Sequence, residues 1–363
     1  MLTWTDNPYR EMWNQLKVLA IEVNARHLLT GHLPSERTSI YPPGQNVDRK
    51  ARQIAMTVAQ AADYFDAAER VSIATSPLLL FYGMLSLAKA LVVANQADTF
   101  LEDISYHGLH TRTTTSVLQG SSVATYAENP AGWNLPDEYA VTADGVFREF
   151  SQVVQGLSLP DVTVFRLRGL FSVCAEMSQM FERHFRSPSR CAYLYKCQED
   201  SQEQYRLQLE FRRELQHVVE RIPQLVHDFT VRQENHGSVF FENNPNISEW
   251  PEYLGHYRPF VGGKYIIGGT PYETYTTGPD GPVTIRGERY LHPAIVDYAA
   301  VFILGNCVRY KQDLWRSAIL GEESGILSLV EIYLGVVRRR FPNFILNLFF
   351  SEKFDYGMRG HWM

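Results

Sequence analysis

Cysteine is scarce in this 363-residue chain, and its four residues, Cys174, Cys191, Cys197 and Cys307, include no Cys-x-x-Cys pair. In a chain this long they read as reduced, buried thiols, and a cytoplasmic setting is expected. Cys191 and Cys197 with His184 lack the spacing of a usual zinc site, so no metal is expected. Equally missing are the GxxxxGKS/T phosphate loop, the GxSxG nucleophile elbow, the HExxH metal helix and the GxGxxG dinucleotide fingerprint. Val261-Gly-Gly-Lys264 falls short of the first of these, and no cofactor is expected.

An excess of positive charge is also absent. Thirty-four Lys and Arg against 40 Asp and Glu leave a net charge of −6, which excludes broad non-specific binding to nucleic acid but not a local basic groove. Long hydrophobic runs are few. The longest, Leu78 to Ala94, contains Lys89 and is short for a membrane span, so a buried helix accounts for it. The opening Met-Leu-Thr-Trp-Thr-Asp-Asn-Pro lacks a basic-then-apolar signal pattern, and neither secretion nor a membrane role is expected.

What the chain does have is an ordinary globular balance, 45% hydrophobic and 20% charged, with 13% aromatic residues to fill one large core or two moderate ones. Trp13, Leu16, Leu19, Ala20 and Val23 recur at helical spacing and predict a helix from Tyr9 to Leu29. Ile54, Val58, Ala61, Ala62, Phe65 and Ala68 mark a second, amphipathic one. Ser76 is a natural N-cap and Pro77 suits a first helical turn, so a third helix is expected there, apolar nearly all round. Thr111 to Ser122 reads as strand or loop, with short helices after Gly145 and over Phe171 to Phe185.

From Cys191 to Arg289 the pattern changes. Tyr205 to Phe211 alternates like a half-buried strand, Ser238–Phe241 and Lys264–Ile267 are further strand candidates, and Thr277 to Pro282 carries turn chemistry. Glu214 to His227 reads as a helix between them. Pro293 opens a helix running to Arg309-Tyr310, and a last one spans Ile326 to Arg340, ending before Pro342. Arg338-Arg339-Arg340 would then complement the dipole of that helix end as solvated charges, a reading that outweighs contact with RNA. The expected fold is mainly α (α+β): a helical bundle from N- and C-terminal helices with a small β-containing insertion. Its segments are an N-terminal helical region over 1–190, the insertion over 191–290, and C-terminal helices over 291–363 that pack back on the first region.

Three groups of residues are able to carry chemistry. On the Pro77 helix, Tyr82, Ser86 and Lys89 form one polar seam at i, i+4 and i+7. Lys89 either holds an anion in a cleft or pairs structurally with Asp63 or Asp66, because a buried charge needs a partner. His107, His110 and Arg112 are expected on the loop after that helix, where a histidine can take a proton from a ribose 2′-hydroxyl and an arginine can steady a phosphate. The alternative is that His107 braces the helix end and Arg112 pairs at the surface. His292, Arg309 and Tyr310 flank the first C-terminal helix, where Arg309 either lines an anion site or pairs with an acid of the N-terminal region.

Several of these residues sit in runs that carry a resemblance. Pro77-Leu-Leu-Leu-Phe-Tyr-Gly with Leu87-Ala-Lys89-Ala, then His107-Gly-Leu and Gly145-Val-Phe, resemble the YaaC-like proteins of bacteria. His292-Pro293, Tyr298, Val308-Arg309-Tyr310-Lys311, Trp315 and Phe341-Pro342 extend the likeness in order along the chain. That family implies no settled activity. The Phe-Tyr-Gly-x-Leu-x-x-Ala-Lys-Ala-Leu helix followed by His-Gly-Leu is also similar to the helical HEPN domains, found in RNA-cleaving toxins and antiviral defence proteins. HEPN nucleases pair an arginine and a histidine four to six residues apart, a spacing met here by Arg26/His32, Arg212/His217, Arg221/His227 and Arg286/His292.

Two functions are expected from these readings. One is a HEPN-like, metal-independent ribonuclease, or its degenerate relative, in a bacterial defence or toxin-like system, with His107, His110 and Arg112 catalytic. The other is a non-catalytic module that binds a partner protein or small ligand, with Tyr82, Ser86, Lys89, His292, Arg309 and Tyr310 as binding residues. The partners in view are RNA, a protein encoded in the same operon, or a second copy of the chain.

Overall fold

The computed structural model describes residues 2–31, 46–111, 134–160, 162–200, 205–235, 237–248, 256–257, 265–278, 281–320 and 325–358. It is a mixed α+β structure of two compact units. The first comprises Met1–Leu167, Glu273–Ile285 and Pro293–Met363; the second comprises Arg168–Tyr272 and Arg286–His292, and so begins well ahead of Cys191.

In the first unit, strand β1 (Leu2–Thr5) precedes α1 (Pro8–Lys17), whose start is held by the Asn7 side chain accepting the Arg10 N–H. The single helix expected to reach Leu29 is broken. A 3₁₀ turn at Val18–Ala20 and an extended Ile21 separate α1 from α2 (Glu22–Leu29). The Asn24 amide donates to the Val18 carbonyl at 3.0 Å, a local bond that competes with helix continuation.

Helix α3 (Val47–Arg70) buries Ala51, Ile54, Val58, Ala61, Phe65 and Ala68 along one face, which packs on α4 (Ser76–Asn95). Gly83 permits that approach, since a Cβ there would lie 2.6 Å from the Phe65 ring. Ser76 is the first helical residue and not the cap. Its hydroxyl donates to the Ala68 carbonyl at 2.9 Å, tying the end of α3 to the start of α4. At the other end of α4, the buried Lys50 ammonium donates to the carbonyls of Val93, Gln96 and Thr99 at 3.2, 2.8 and 2.5 Å. Burial pushes Lys50 down to about 8, against the opposing pull of Asp98 and Asp103. Helix α4 is the one described helix long and apolar enough to cross a membrane, but 78% of its apolar window is buried inside the fold.

Strands β2 (His107–His110), β3 (Tyr139–Gly145) and β4 (Thr163–Arg166) pair antiparallel, and α5 (Val146–Gln155) leaves β3 directly. Helix α6 (Leu167–Ser172) follows β4.

The second unit splits the helix expected over Phe171 to Phe185 into α6, a 3₁₀ turn and α7 (Ser178–Phe185). Strand β5 (Cys191–Tyr193) pairs with β11, as given below, while β6 (Lys196–Asp200) and β7 (Arg206–Phe211) form a hairpin. The helix expected from Glu214 to His227 is two single turns, α8 (Leu215–Val219) and α9 (Leu225–Asp228), interrupted at Pro223. With β8 (Phe229–Asn235) and β9 (Ser238–Asn243) the sheet order is β6-β7-β9-β8, over a core that includes Leu207, Leu209, Phe211 and Phe241. Strands β10 (His256–Tyr257) and β11 (Tyr265–Ile267) join β5 in the order β10-β11-β5. The largely buried Arg221 binds Glu182 at 2.7 Å, and Ser189 donates to the same carboxylate at 2.8 Å.

Strands β12 (Thr270–Gly278) and β13 (Gly281–Arg289), of which Glu273–Ile285 belongs to the first unit, give a sheet in the order β13-β12-β4-β3-β2. Helices α10 (Pro293–Tyr310), α11 (Gln312–Ile319) and α12 (Ile326–Phe350) follow, and β14 (Asp355–Met358) pairs parallel with β1. Helix α12 does not stop at Pro342 but runs through it. The lost amide bond is outweighed by continued burial of Phe341, Ile345, Leu346 and Phe349.

The arginine run therefore lies mid-helix, and only Arg339 is solvated. Arg338 donates to the Ala68 carbonyl at 2.7 Å and to Ser76 Oγ at 2.5 Å. Arg340 is 2% exposed and pairs with Asp297 of α10, which is 0% exposed. Its Nε lies 2.9 Å from Oδ2, its Nη2 reaches Oδ1, and the Tyr333 hydroxyl donates to Oδ1 at 2.9 Å. Removing one partner leaves an uncompensated buried charge, so Arg340→Met lowers stability by about 3–5 kcal/mol in urea unfolding, while Asp297→Leu with Arg340→Met recovers most of the loss. Equal losses in the single and double variants would show that the pair has no such role.

Candidate functional site

His107 does not lie on a loop; it opens β2, opposite Gly145 of β3, and the register then slips so that Leu109 faces Thr142. The slip depends on two glycines with positive φ, Gly108 at +79° and Gly145 at +132°. A Cβ on Gly145 would lie 2.5 Å from the Tyr106 carbonyl oxygen, and one on Gly108 would strike the backbone of Phe147. His107-Gly-Leu and Gly145-Val-Phe are thus the two sides of one close backbone crossing. The crossing is held from α10, where the Tyr298 hydroxyl donates to the His107 carbonyl at 2.9 Å.

A cavity of about 530 Å³ opens beside this crossing, between β2, α4 and the end of α10. One wall is apolar, formed by Leu78, Phe81, Leu109 and Phe302. His107, His110, Asn306, Arg309, Tyr310 and Lys311 supply the polar lining. The His107 ring stands edge-on to Phe81 at 5.5 Å between centroids, and its Nδ1 is buried with no hydrogen-bond partner. Asn306 donates to Thr111 Oγ1 at 3.0 Å.

The charges around the cavity do not cancel. Lys311 Nζ is neutralised by Glu138, at 2.8 and 2.7 Å from the two oxygens of a fully buried carboxylate. Arg309, by contrast, is exposed, has no carboxylate partner among the described residues, and donates to the Tyr82 hydroxyl at 2.7 Å. Its guanidinium carbon lies 4.8 Å from the centroid of the Tyr310 ring. Lys89 is half-buried and likewise has no ion pair among the described residues; Asp66 binds Arg70 instead. The C-terminal end of α10 contributes about half a negative charge, less than the full positive charge of Arg309.

Burial first, then the charges of Lys89 and Arg309, push His107 below its ordinary value of 6.5. The imidazole is therefore neutral at pH 7 and available to accept a proton. Lys89 itself is lowered by burial.

Of the residues expected to act, His107, His110, Arg309 and Tyr310 share this cavity, and Tyr82 orients Arg309. Ser86 turns away, donating to the Tyr82 carbonyl at 2.9 Å and to Gln60 at 3.3 Å. Lys89 does not line the cavity and acts on His107 only through its field. His292 belongs to the second unit, and Arg112 lies outside the described residues. Asn306, Lys311 and Glu138 were not singled out from sequence; only Lys311, inside the Val308-Arg-Tyr-Lys run, carried any local signal. Among the described residues no group of three His, Cys, Asp or Glu is placed to hold a metal ion.

The model of the family described as YaaC-like Protein matches residues 18–349. No curated protein and no solved structure matches the chain.

The electrostatics is open to direct test by NMR titration of the His107 ring. Its midpoint falls below 6.5, and Lys89→Met or Arg309→Gln moves it upward. Because the unfolded chain takes up this proton more readily, the contribution to stability is intact above 6.5 and is lost as the pH falls toward the folded-state value. A midpoint at or above 6.5, unmoved by either substitution, contradicts this reading.

Proposed function

The chain belongs to the YaaC-like family, and we propose that its cavity at the end of α10 binds a small, phosphate-bearing anion. The observation that carries this reading is Arg309: an exposed guanidinium on a concave surface, oriented by Tyr82 and free of any carboxylate among the described residues. A guanidinium fork matches phosphate geometry, and a nearby second cation, Lys89, reinforces the field. The half-charge of the α10 terminus opposes binding but is the smaller term. In this reading the protein is a ligand-binding module.

A second reading is favoured by the two histidines on one cavity wall. Neutral His107 takes the 2′-hydroxyl proton of an RNA strand, the freed oxygen attacks phosphorus, and His110 supplies the proton to the departing 5′-oxygen. Arg309 balances the charge that develops on the phosphate, and no metal is required. This is the chemistry that the likeness to HEPN helices implies, within a defence or toxin-like system that acts on RNA or through a partner encoded nearby. We place the protein in the cytoplasm because its four cysteines are free, and read helices α3, α4, α10 and α12 as one bundle.

One set of proteins separates the readings. Calorimetry of the full chain with inorganic phosphate and pyrophosphate gives saturable binding that Arg309→Gln weakens at least tenfold, as loss of a charged hydrogen bond of about 1.5–3 kcal/mol requires. The same samples are then incubated with RNA in EDTA. Cleavage that disappears in His107→Ala and Arg309→Gln supports the nuclease. Intact RNA with phosphate binding retained leaves the binding module, and no phosphate binding by the unaltered chain overturns it.

A further inference from the structure

We infer that the phosphate ester held by this cavity carries a planar aromatic group, which stacks on Tyr310. The inference rests on the anion-binding reading above and names its ligand more closely. Helix α10 is buried along nearly its whole length, yet its last residue, Tyr310, leaves a large ring 66% exposed on the cavity wall. No packing role accounts for that exposure. The guanidinium of Arg309 lies over the same ring at 4.8 Å, so a cation and an aromatic surface are presented by consecutive residues.

The cavity is also larger and less polar than a bare anion needs. At about 530 Å³ it falls within the range of sites that enclose small organic ligands, roughly 300–1,000 Å³. Leu78, Phe81 and Phe302 offer apolar surface that a hydrated phosphate would leave unfilled. A ligand with an anionic head against Arg309 and a flat ring against Tyr310 engages both of these residues at once. Asn306, whose amide donates to Thr111 Oγ1, also lines the cavity.

Calorimetry on the full chain tests this with two matched pairs of probes: phenyl phosphate against methyl phosphate, and adenosine monophosphate against ribose 5-phosphate. The ring-bearing member of each pair binds about tenfold more tightly, the scale of one aromatic stacking contact. Tyr310→Ala removes that advantage, so that the two members of each pair bind alike, whereas Tyr310→Phe keeps it. Because Tyr310 is exposed, its variants retain the unfolding midpoint of the unaltered chain. Equal affinity within each pair, or a ring advantage that survives Tyr310→Ala, overturns the inference while leaving the anion site standing. Failure of all four probes to bind overturns both.

Discussion

The buried pair between Asp297 and Arg340 is the constraint on which the site depends. It joins α10 to α12 with both charged groups buried, and so favours the rotation of α10 about its axis that keeps Asp297 on Arg340. Tyr298, the next residue, then meets the His107 carbonyl, and Phe302, Asn306 and Arg309 follow on the side that lines the cavity. A rotation that satisfied the apolar residues of α10 equally well would leave Asp297 unpaired. Helix α10 is apolar nearly all round, so hydrophobic burial alone would select its position only weakly. The ion pair supplies the orientation that the apolar surface lacks.

That pair was not legible in the sequence. Asp297 and Arg340 are 43 residues apart, and three arginines before a proline resemble the solvated end of a helix. The local rule for proline lost to tertiary burial, because Phe341, Ile345 and Phe349 hold the helix together beyond Pro342. Where local chemistry and burial agree, the reading succeeded: α4 begins at Ser76-Pro77 and is buried as its composition implies, and α10 runs from Pro293 to Tyr310 as expected. Helices α1 and α2 failed as one element because a single side chain, Asn24, intercepts a carbonyl that the spacing of apolar residues cannot report.

The cavity was half legible for a related reason. His107, His110, Arg309 and Tyr310 stand in recognisable local runs, and a polar residue beside a conspicuous glycine draws notice in a sequence. The meaning of Gly108 and Gly145 is visible only in three dimensions, as the two sides of a backbone crossing that places His107. Glu138 carries no local sign of its partner, and its neutralisation of Lys311 is what leaves Arg309 as the exposed cation on the wall. The polar seam of Tyr82, Ser86 and Lys89 divides into three separate roles: a hydrogen bond to Arg309, a bond back to its own helix, and a charge felt by His107.

The central claim is that an unneutralised Arg309 makes this cavity an anion site. Anomalous diffraction from crystals of the full chain soaked in tungstate locates bound anions without prior choice of ligand. The account predicts a tungsten peak in the cavity within hydrogen-bonding reach of the Arg309 guanidinium. A cavity without tungsten, with Arg309 folded against a carboxylate, would contradict it.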